Sequence, residues 1–371
     1  MNRIIQFCAT ISVAISLLIG APSPTMAQTI TRYSVPSAIA GVYDITAGPD
    51  GALWFTHYNG SRIGRIDTSG AITEFTMTAT VAFPGGILST GRPRGIAAGP
   101  DGALWFVVSD AWLVNRITTA GVITAYTLPS PPYGAESIVA GPDGALWFTL
   151  SSTNRIGRID PTTQAITEFP LPTLNSFPMG IVEGPDGALW FTQYNGNRIG
   201  RITTSGVVTQ YALPTAGSQP RNITVGPDGA LWFTQYGANR IGRITTSGVV
   251  TEFATPTIGS QPYDIVAGPD GALWFTEYNG NSIGRITTGG VITEYSLSGF
   301  SREPQGITVG SDGALWFTEF NSNSIGRITT GAPPPPPPPP IPTLSEWAMI
   351  LLTLLLAGGA AIHLQRRRQS A

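Results

Sequence analysis

The chain has 371 residues, a formal net charge of −2 and only 11% charged side chains; its basic residues are all Arg. That balance excludes the basic footprint of a nucleic-acid-binding protein. The 45 Gly and 32 Pro point to many tight turns, and a single Cys excludes a disulfide framework.

Taken in chain order, the first element is a leader. Arg3 precedes an apolar run over residues 4–19, and Thr25-Met26-Ala27 offers a small-residue cleavage site. Residues 1–27 are therefore expected to be a secretory signal peptide, which removes Cys8 from the mature protein.

A repeat fills the region 28–331. The tripeptide Leu-Trp-Phe recurs with its Trp at 54, 105, 147, 190, 232, 274 and 316, and an Ile lies nine residues before each Trp. Each copy reads as four short strands separated by turns. Around Trp232, residues 223–225 form the first strand, Gly226-Pro227-Asp228-Gly229 a turn, and residues 230–236, 240–245 and 249–253 the other three. The Pro-Asp-Gly aspartates read as turn residues, the Trp residues as packing between repeats, and Arg pairs such as Arg198 and Arg201 as solvent-facing strand residues. Four strands in about 42 residues, seven times, predict an all-β, seven-bladed β-propeller.

The seventh copy ends at Gly331 without a fourth strand, whereas Ile30-Thr31-Arg32-Tyr33-Ser34 matches Ile292-Thr293-Glu294-Tyr295-Ser296. The mature N-terminus is therefore expected to supply the outer strand of the last blade and close the ring.

Two columns break the symmetry. Two residues before the marker Ile stand Tyr43, Arg94, Glu136, Met179, Arg221, Tyr263 and Gln305. After Trp-Phe-Thr or its equivalent stand His57, Val107, Leu150, Gln193, Gln235, Glu277 and Glu319. Because strands alternate in direction, both columns are expected on one mouth of the central channel, where a small-molecule or peptide ligand would bind. The loop over residues 78–91 is longer than its counterparts and suits either a partial lid or a surface insertion. Glu303 and Glu319, in the last repeat, are expected to point to the same face. Paired carboxylates there suit Mg²⁺, which prefers oxygen ligands.

The tail begins with eight consecutive prolines, Pro333 to Pro340, a stiff spacer of about 25 Å at roughly 3.1 Å per residue. The linker is placed at 332–341. Ile341-Pro342-Thr343-Leu344-Ser345-Glu346-Trp347 follows, then an apolar stretch over residues 348–364 and Arg366-Arg367-Arg368. That stretch is just long enough for a transmembrane helix, with the Arg cluster cytoplasmic and the propeller outside. The order of motif, apolar stretch and Arg cluster over 342–371 resembles the IPTL-CTERM sorting signals of Gram-negative bacteria. The resemblance implies recognition by a membrane sorting protease and a location in the cell envelope, or release after processing.

The repeats Gly-Pro-Asp-Gly-Ala-Leu-Trp-Phe-Thr, Asn-Arg-Ile-Gly-Arg-Ile-Thr and Ile-Thr-Glu-Phe-Pro-Leu-Pro resemble those of virginiamycin B (streptogramin) lyases over about residues 30–331. Those enzymes are seven-bladed propellers that open a cyclic depsipeptide ester by Mg²⁺-dependent elimination. A base takes the proton α to the carbonyl, and the metal stabilises the enolate. The resemblance implies Glu303 and Glu319 as the acids that act with the metal. It places the family's catalytic histidine at Gln305 and its substrate-contacting histidine at Tyr263, so both histidines are replaced here. Gln cannot serve as a base near neutral pH. His57, in the repeat that flanks the last one in a closed ring, is the remaining candidate to face substrate. Two readings follow: a lyase-like enzyme, or a non-catalytic propeller that binds a ligand at the cell envelope.

Overall fold

The structure is a computed structural model that describes residues 28–38, 41–77, 81–83, 86–88, 91–129, 134–299 and 301–330. The expected signal peptide, linker and membrane-spanning tail lie outside these residues. Among the described residues, no helix is long and apolar enough to cross a membrane.

Seven four-stranded antiparallel sheets form the blades. Blade one comprises Val42–Ala47, Leu53–His57, Arg62–Ile66 and Ile72–Thr76, and the same order repeats through blade six. Blade seven holds Pro304–Val309, Leu315–Glu319 and Ser324–Ile328, and its outer edge is Ile30–Ser34 from the chain start. The register runs Ile30 to Ile328, Arg32 to Gly326 and Ser34 to Ser324. The closure expected from the sequence is therefore present. Tyr33 stacks on Trp316 at 5.4 Å, as Tyr295 stacks on Trp274 at 5.5 Å in blade six.

Side chains alternate across each strand, so one face of a blade meets the blade before it and the other meets the blade after it. Trp54 is fully buried and packs with Ile96, Leu104 and Phe106 of blade two. Each indole also donates to the aspartate of its own turn, Pro-Asp-Gly in six blades and Ser311-Asp312-Gly313 in the seventh; Trp232 Nε1 reaches Asp228 Oδ1 at 2.9 Å. The other carboxylate oxygen accepts from the third strand, with Arg243 Nε at 2.7 Å from Asp228 Oδ2. Turn, indole and guanidinium thus form one unit in every blade. The second Arg of each third-strand pair, including Arg201 with Asp186, is ion-paired and not merely solvated, which corrects the reading of those residues as solvent-facing.

First strands begin earlier than expected. Pro220–Val225 replaces 223–225, with a register shift between Pro220 and Ile223 that recurs in blades one to seven wherever the first strand is paired. A bulge leaves backbone groups unpaired, and the Trp-Phe-Thr threonine supplies their partner. Thr234 Oγ1 accepts from Asn222 N at 3.0 Å and donates to Tyr263 O, in the next blade, at 3.0 Å. Thr318 makes the same link from blade seven to Tyr43 O of blade one, at 2.8 Å. The loop ahead of blade two contains a short ladder, Val81–Phe83 with Gly86–Leu88.

Candidate functional site

The first-strand bulges aim their side chains into the central channel. A small cavity of about 50 Å³ is lined there by Tyr43, Glu136, Met179, Arg221 and Tyr263 from the first variable column, and by Asp44 and Asp264 from the position after it. Five of the seven residues of this column thus converge there, and Arg94 and Gln305 are outside the lining.

Arg221 lies flat on Tyr263, its guanidinium carbon 3.6 Å from the ring centroid. Its Nη2 donates to the hydroxyls of Tyr263 and of Tyr43, the latter at 3.1 Å. Arg94 pairs with Glu136 and stacks over Tyr43 and Tyr58 at 5.4 and 5.2 Å. Glu136 also accepts from Ser151 Oγ at 3.1 Å. Burial pushes the Tyr263 hydroxyl well above the usual phenol range, so it stays neutral. Asp44 and Asp264 direct their oxygens to backbone amides: Asp44 to Ile45 and Ile96, Asp264 to Ile265 and Ile307. Burial raises Asp44 to about 6, and burial with the neighbouring Asp44 charge raises Asp264 to about 8.

A third column, four residues after each Trp, forms an aromatic rim that the sequence reading passed over as strand. Tyr194, Tyr236, Tyr278, Phe320 and Tyr58 follow one another through blades four, five, six, seven and one. Tyr236 and Tyr278 have centroids 6.4 Å apart, and Tyr58 and Phe320 6.1 Å. Tyr58 stacks on Tyr43 at 5.6 Å, and Tyr278 on Tyr263 at 5.7 Å, which joins the rim to the channel wall. The signal was present: an aromatic recurs at one offset in five of the seven repeats, directly after a polar column.

The second column is not at the mouth, and this corrects the expectation for His57 and Glu319. Those residues end the second strand, and a side chain there projects along the blade normal, into the space between blades. Each instead turns toward the outer strand of its own blade. Gln193 accepts from Gln210 at 3.1 Å, Gln235 donates to Glu252 at 2.8 Å, and Glu319 accepts from Arg32 at 2.9 Å. In blade two the member of this column is Val108, paired with Pro93 as Glu319 is paired with Pro304; Val107 occupies the threonine position.

His57 is fully buried, stacks on Phe55 at 5.1 Å, and sits with Nε2 3.7 Å from Glu74. Neither ring nitrogen has a hydrogen-bond partner, and burial holds the imidazole down to about 4. It is a neutral side chain inside the wall, not a group facing substrate.

Glu319 is also fully buried. Oε1 accepts from Arg32 Nε at 2.9 Å, and Oε2 from Arg302 Nη1 at 3.0 Å, Ser324 Oγ at 2.6 Å and Ser322 Oγ at 3.1 Å. Glu303 precedes the first strand of blade seven at φ +52°, the left-handed conformation also taken by Phe177, Gln219 and Gln261 at the same offset. Its carboxylate bonds the Tyr278 hydroxyl, and burial together with that carboxylate raises the phenol to about 12. Glu303 is thus on the rim and Glu319 inside the blade, with no hydrogen-bond partner in common among the described residues. Gln305 is 4% exposed, with Oε1 unpartnered, and its backbone carbonyl accepts from Thr276. For Mg²⁺ the fit is poor: both Glu319 oxygens are taken, and two guanidinium groups would lie against the ion.

A seven-bladed propeller with a polar, aromatic-rimmed mouth defines a class of ring-shaped ligand-site scaffolds. The chain belongs to the virginiamycin B lyase family, whose model matches residues 23–92 and 179–333, more than half of its length. Residues 339–368 match the IPTL-CTERM motif. Virginiamycin B lyase from Staphylococcus aureus is 40% identical with a TM-score of 0.75, covering 81% of this chain and 99% of the other. A catalytically inactive variant of that enzyme with quinupristin gives the same figures. A streptogramin B lyase structure is 38% identical, with a TM-score of 0.75 and coverage of 81% and 97%. Among curated relatives, the Saccharopolyspora erythraea virginiamycin B lyase is 44% identical over 50 residues, 14% of this chain and 17% of the relative.

Proposed function

We propose that this protein is an exported member of the virginiamycin B lyase family that binds a small-molecule or peptide ligand at its aromatic-rimmed mouth without eliminating it. The observation that carries this reading is the state of Glu319. With Arg32 and Arg302 on its two oxygens, the buried member of the blade-seven acid pair has no oxygen free for a divalent cation, which leaves Glu303 without its partner ligand. Gln305 at the family's base position and Tyr263 at the second histidine position support the same reading. Neither side chain accepts a proton from carbon near neutral pH. The apolar and polar groups that remain, the tyrosine rim and the channel arginines, are binding groups.

The tail supports a location. Its IPTL-CTERM motif suits delivery of the propeller to the outer side of the cytoplasmic membrane, followed by recognition by a sorting protease. The leader over residues 1–27 supports the export step.

The test is incubation with a streptogramin B depsipeptide, with Mg²⁺ or with EDTA. Elimination conserves mass, so linear and cyclic forms are separated by chromatography, while calorimetry reads binding. Binding without a linear product is expected in both conditions. Mg²⁺-dependent linearisation would instead establish the lyase reading.

A further inference from the structure

The channel holds one guanidinium, that of Arg221, with no carboxylate in ion-pair contact among the described residues. Arg94 has Glu136 as its carboxylate partner, and Glu136 is completed by Ser151. Arg221 forms no ion pair with a carboxylate among the described residues; its hydrogen bonds go to two tyrosine hydroxyls. Those phenols are neutral acceptors. The two aspartates that share the cavity spend their oxygens on the amides of Ile45, Ile96, Ile265 and Ile307 and on the Asn222 side chain.

An arginine in a recess cannot shed its proton to relieve the cost, because guanidinium stays charged at any physiological pH. An unpaired charge there is costly, and the protein keeps it in place by stacking it on Tyr263. Nη2 is engaged, which leaves the other edge of a five-donor group available to an acceptor of opposite charge. The enclosed space is small, about 50 Å³, well below the range of pockets that enclose a whole drug-sized ligand. It takes an acid group with a short stem. A ring on that stem would reach the rim, where Tyr58, Tyr236 and Tyr278 present stacking faces.

We propose that the channel is an acid-recognition pocket, in which Arg221 with the Tyr43 and Tyr263 hydroxyls receives the carboxylate of a ligand whose aromatic or apolar body lies on the tyrosine rim. This deepens, and rests on, the reading of the mouth as a binding site. The planar guanidinium presents parallel N–H donors to the two oxygens of one carboxylate.

The test is calorimetric titration of the purified full-length protein with N-acetyl-L-tyrosine, N-acetyl-L-tyrosinamide and inorganic phosphate. The first two differ only in the acid group. The acid is expected to bind at least about tenfold more tightly than the amide, as a charge-assisted pair requires. Arg221→Gln is expected to abolish that preference, so that acid and amide bind this variant equally, and Arg221→Lys to retain part of it. Melting of each variant checks that it is folded; if Arg221→Gln fails to fold, the acid-to-amide ratio of the unmodified protein decides alone. Equal binding of acid and amide overturns the acid assignment and leaves the mouth as a binding site. Phosphate binding more tightly than the acid, or a preference that survives in folded Arg221→Gln, also overturns it. No binding of either tyrosine derivative overturns the acid pocket, while the depsipeptide titration still tests the mouth.

Discussion

Fully buried at the end of the second strand of blade six, the Glu277 carboxyl lies within reach of the Glu294 charge, and neither is ion-paired with an arginine among the described residues. The third strand opens on Arg62, Arg155, Arg198 and Arg240 in blades one, three, four and five, but on Ser282 in blade six. In blade seven, Arg32 and Arg302 neutralise Glu319 in their place. Burial first, and then the Glu294 charge, raise Glu277 to about 7. Its folded pKa exceeds its ordinary value of 4.5, so the native state holds the proton more tightly than the unfolded chain does. The stability this confers is full below pH 4.5 and is lost as pH rises to about 7. Glu277→Gln is expected to remove that fall, and Ser282→Arg to raise the melting temperature at pH 8 by supplying the missing cation. Thermal melts from pH 4 to 9 check both; an unchanged profile in Glu277→Gln contradicts the assignment.

Ring closure depends on the N-terminal strand. Tyr33 stacks on Trp316, and Arg32 holds Glu319. Deleting residues 28–37 exposes the edge of blade seven, uncovers Trp316 and leaves Glu319 short of one cation. The truncated protein is expected to lose its soluble folded form, as read by gel filtration and circular dichroism. Retention of the full-length melting temperature would sink the closure model.

The aspartate of each Pro-Asp-Gly turn joins an indole to a guanidinium. Asp228→Ala leaves the Trp232 N–H and Arg243 without their acceptor. A loss of about 2 kcal/mol is expected from the charge-assisted bonds, measured by denaturant titration. Asp67, a part-exposed aspartate in a different turn whose partners are Ser69 and the Ala71 amide, provides the comparison and is expected to tolerate Ala better.

Millimolar Mg²⁺ is expected to leave the melting temperature unchanged, because Glu319 has no free oxygen for it. Gln305→His restores the family's histidine, yet by itself it is expected to give no linear depsipeptide, for the same reason. A Mg²⁺-dependent shift in melting that disappears in Glu303→Ala would show that the arginines yield to the metal.

The propeller was legible in the chain because its signals are local and repeated. Trp, Pro-Asp-Gly and the apolar alternation recur in register, and the strand sequence missing after Gly331 is found at residues 30–34. The mouth was half legible. Tyr43, Arg94, Glu136, Met179, Arg221, Tyr263 and Gln305 stood out as the column that varies, and all but Arg94 and Gln305 line the channel cavity. The rim of Tyr58, Tyr236 and Tyr278 was missed because an aromatic at a strand end reads as β-propensity.

What the sequence by itself determined is the number of blades, their strand order and the source of the closing strand, since strand pairing follows alternation and turn chemistry within about 42 residues. What only the tertiary structure decided is which acids are free. Glu319 and Glu303 are sixteen residues apart in one blade, but alternation sends one side chain between blades and leaves the other on the rim. One of the two arginines that quench Glu319 comes from position 32, 287 residues away, and only ring closure brings it there.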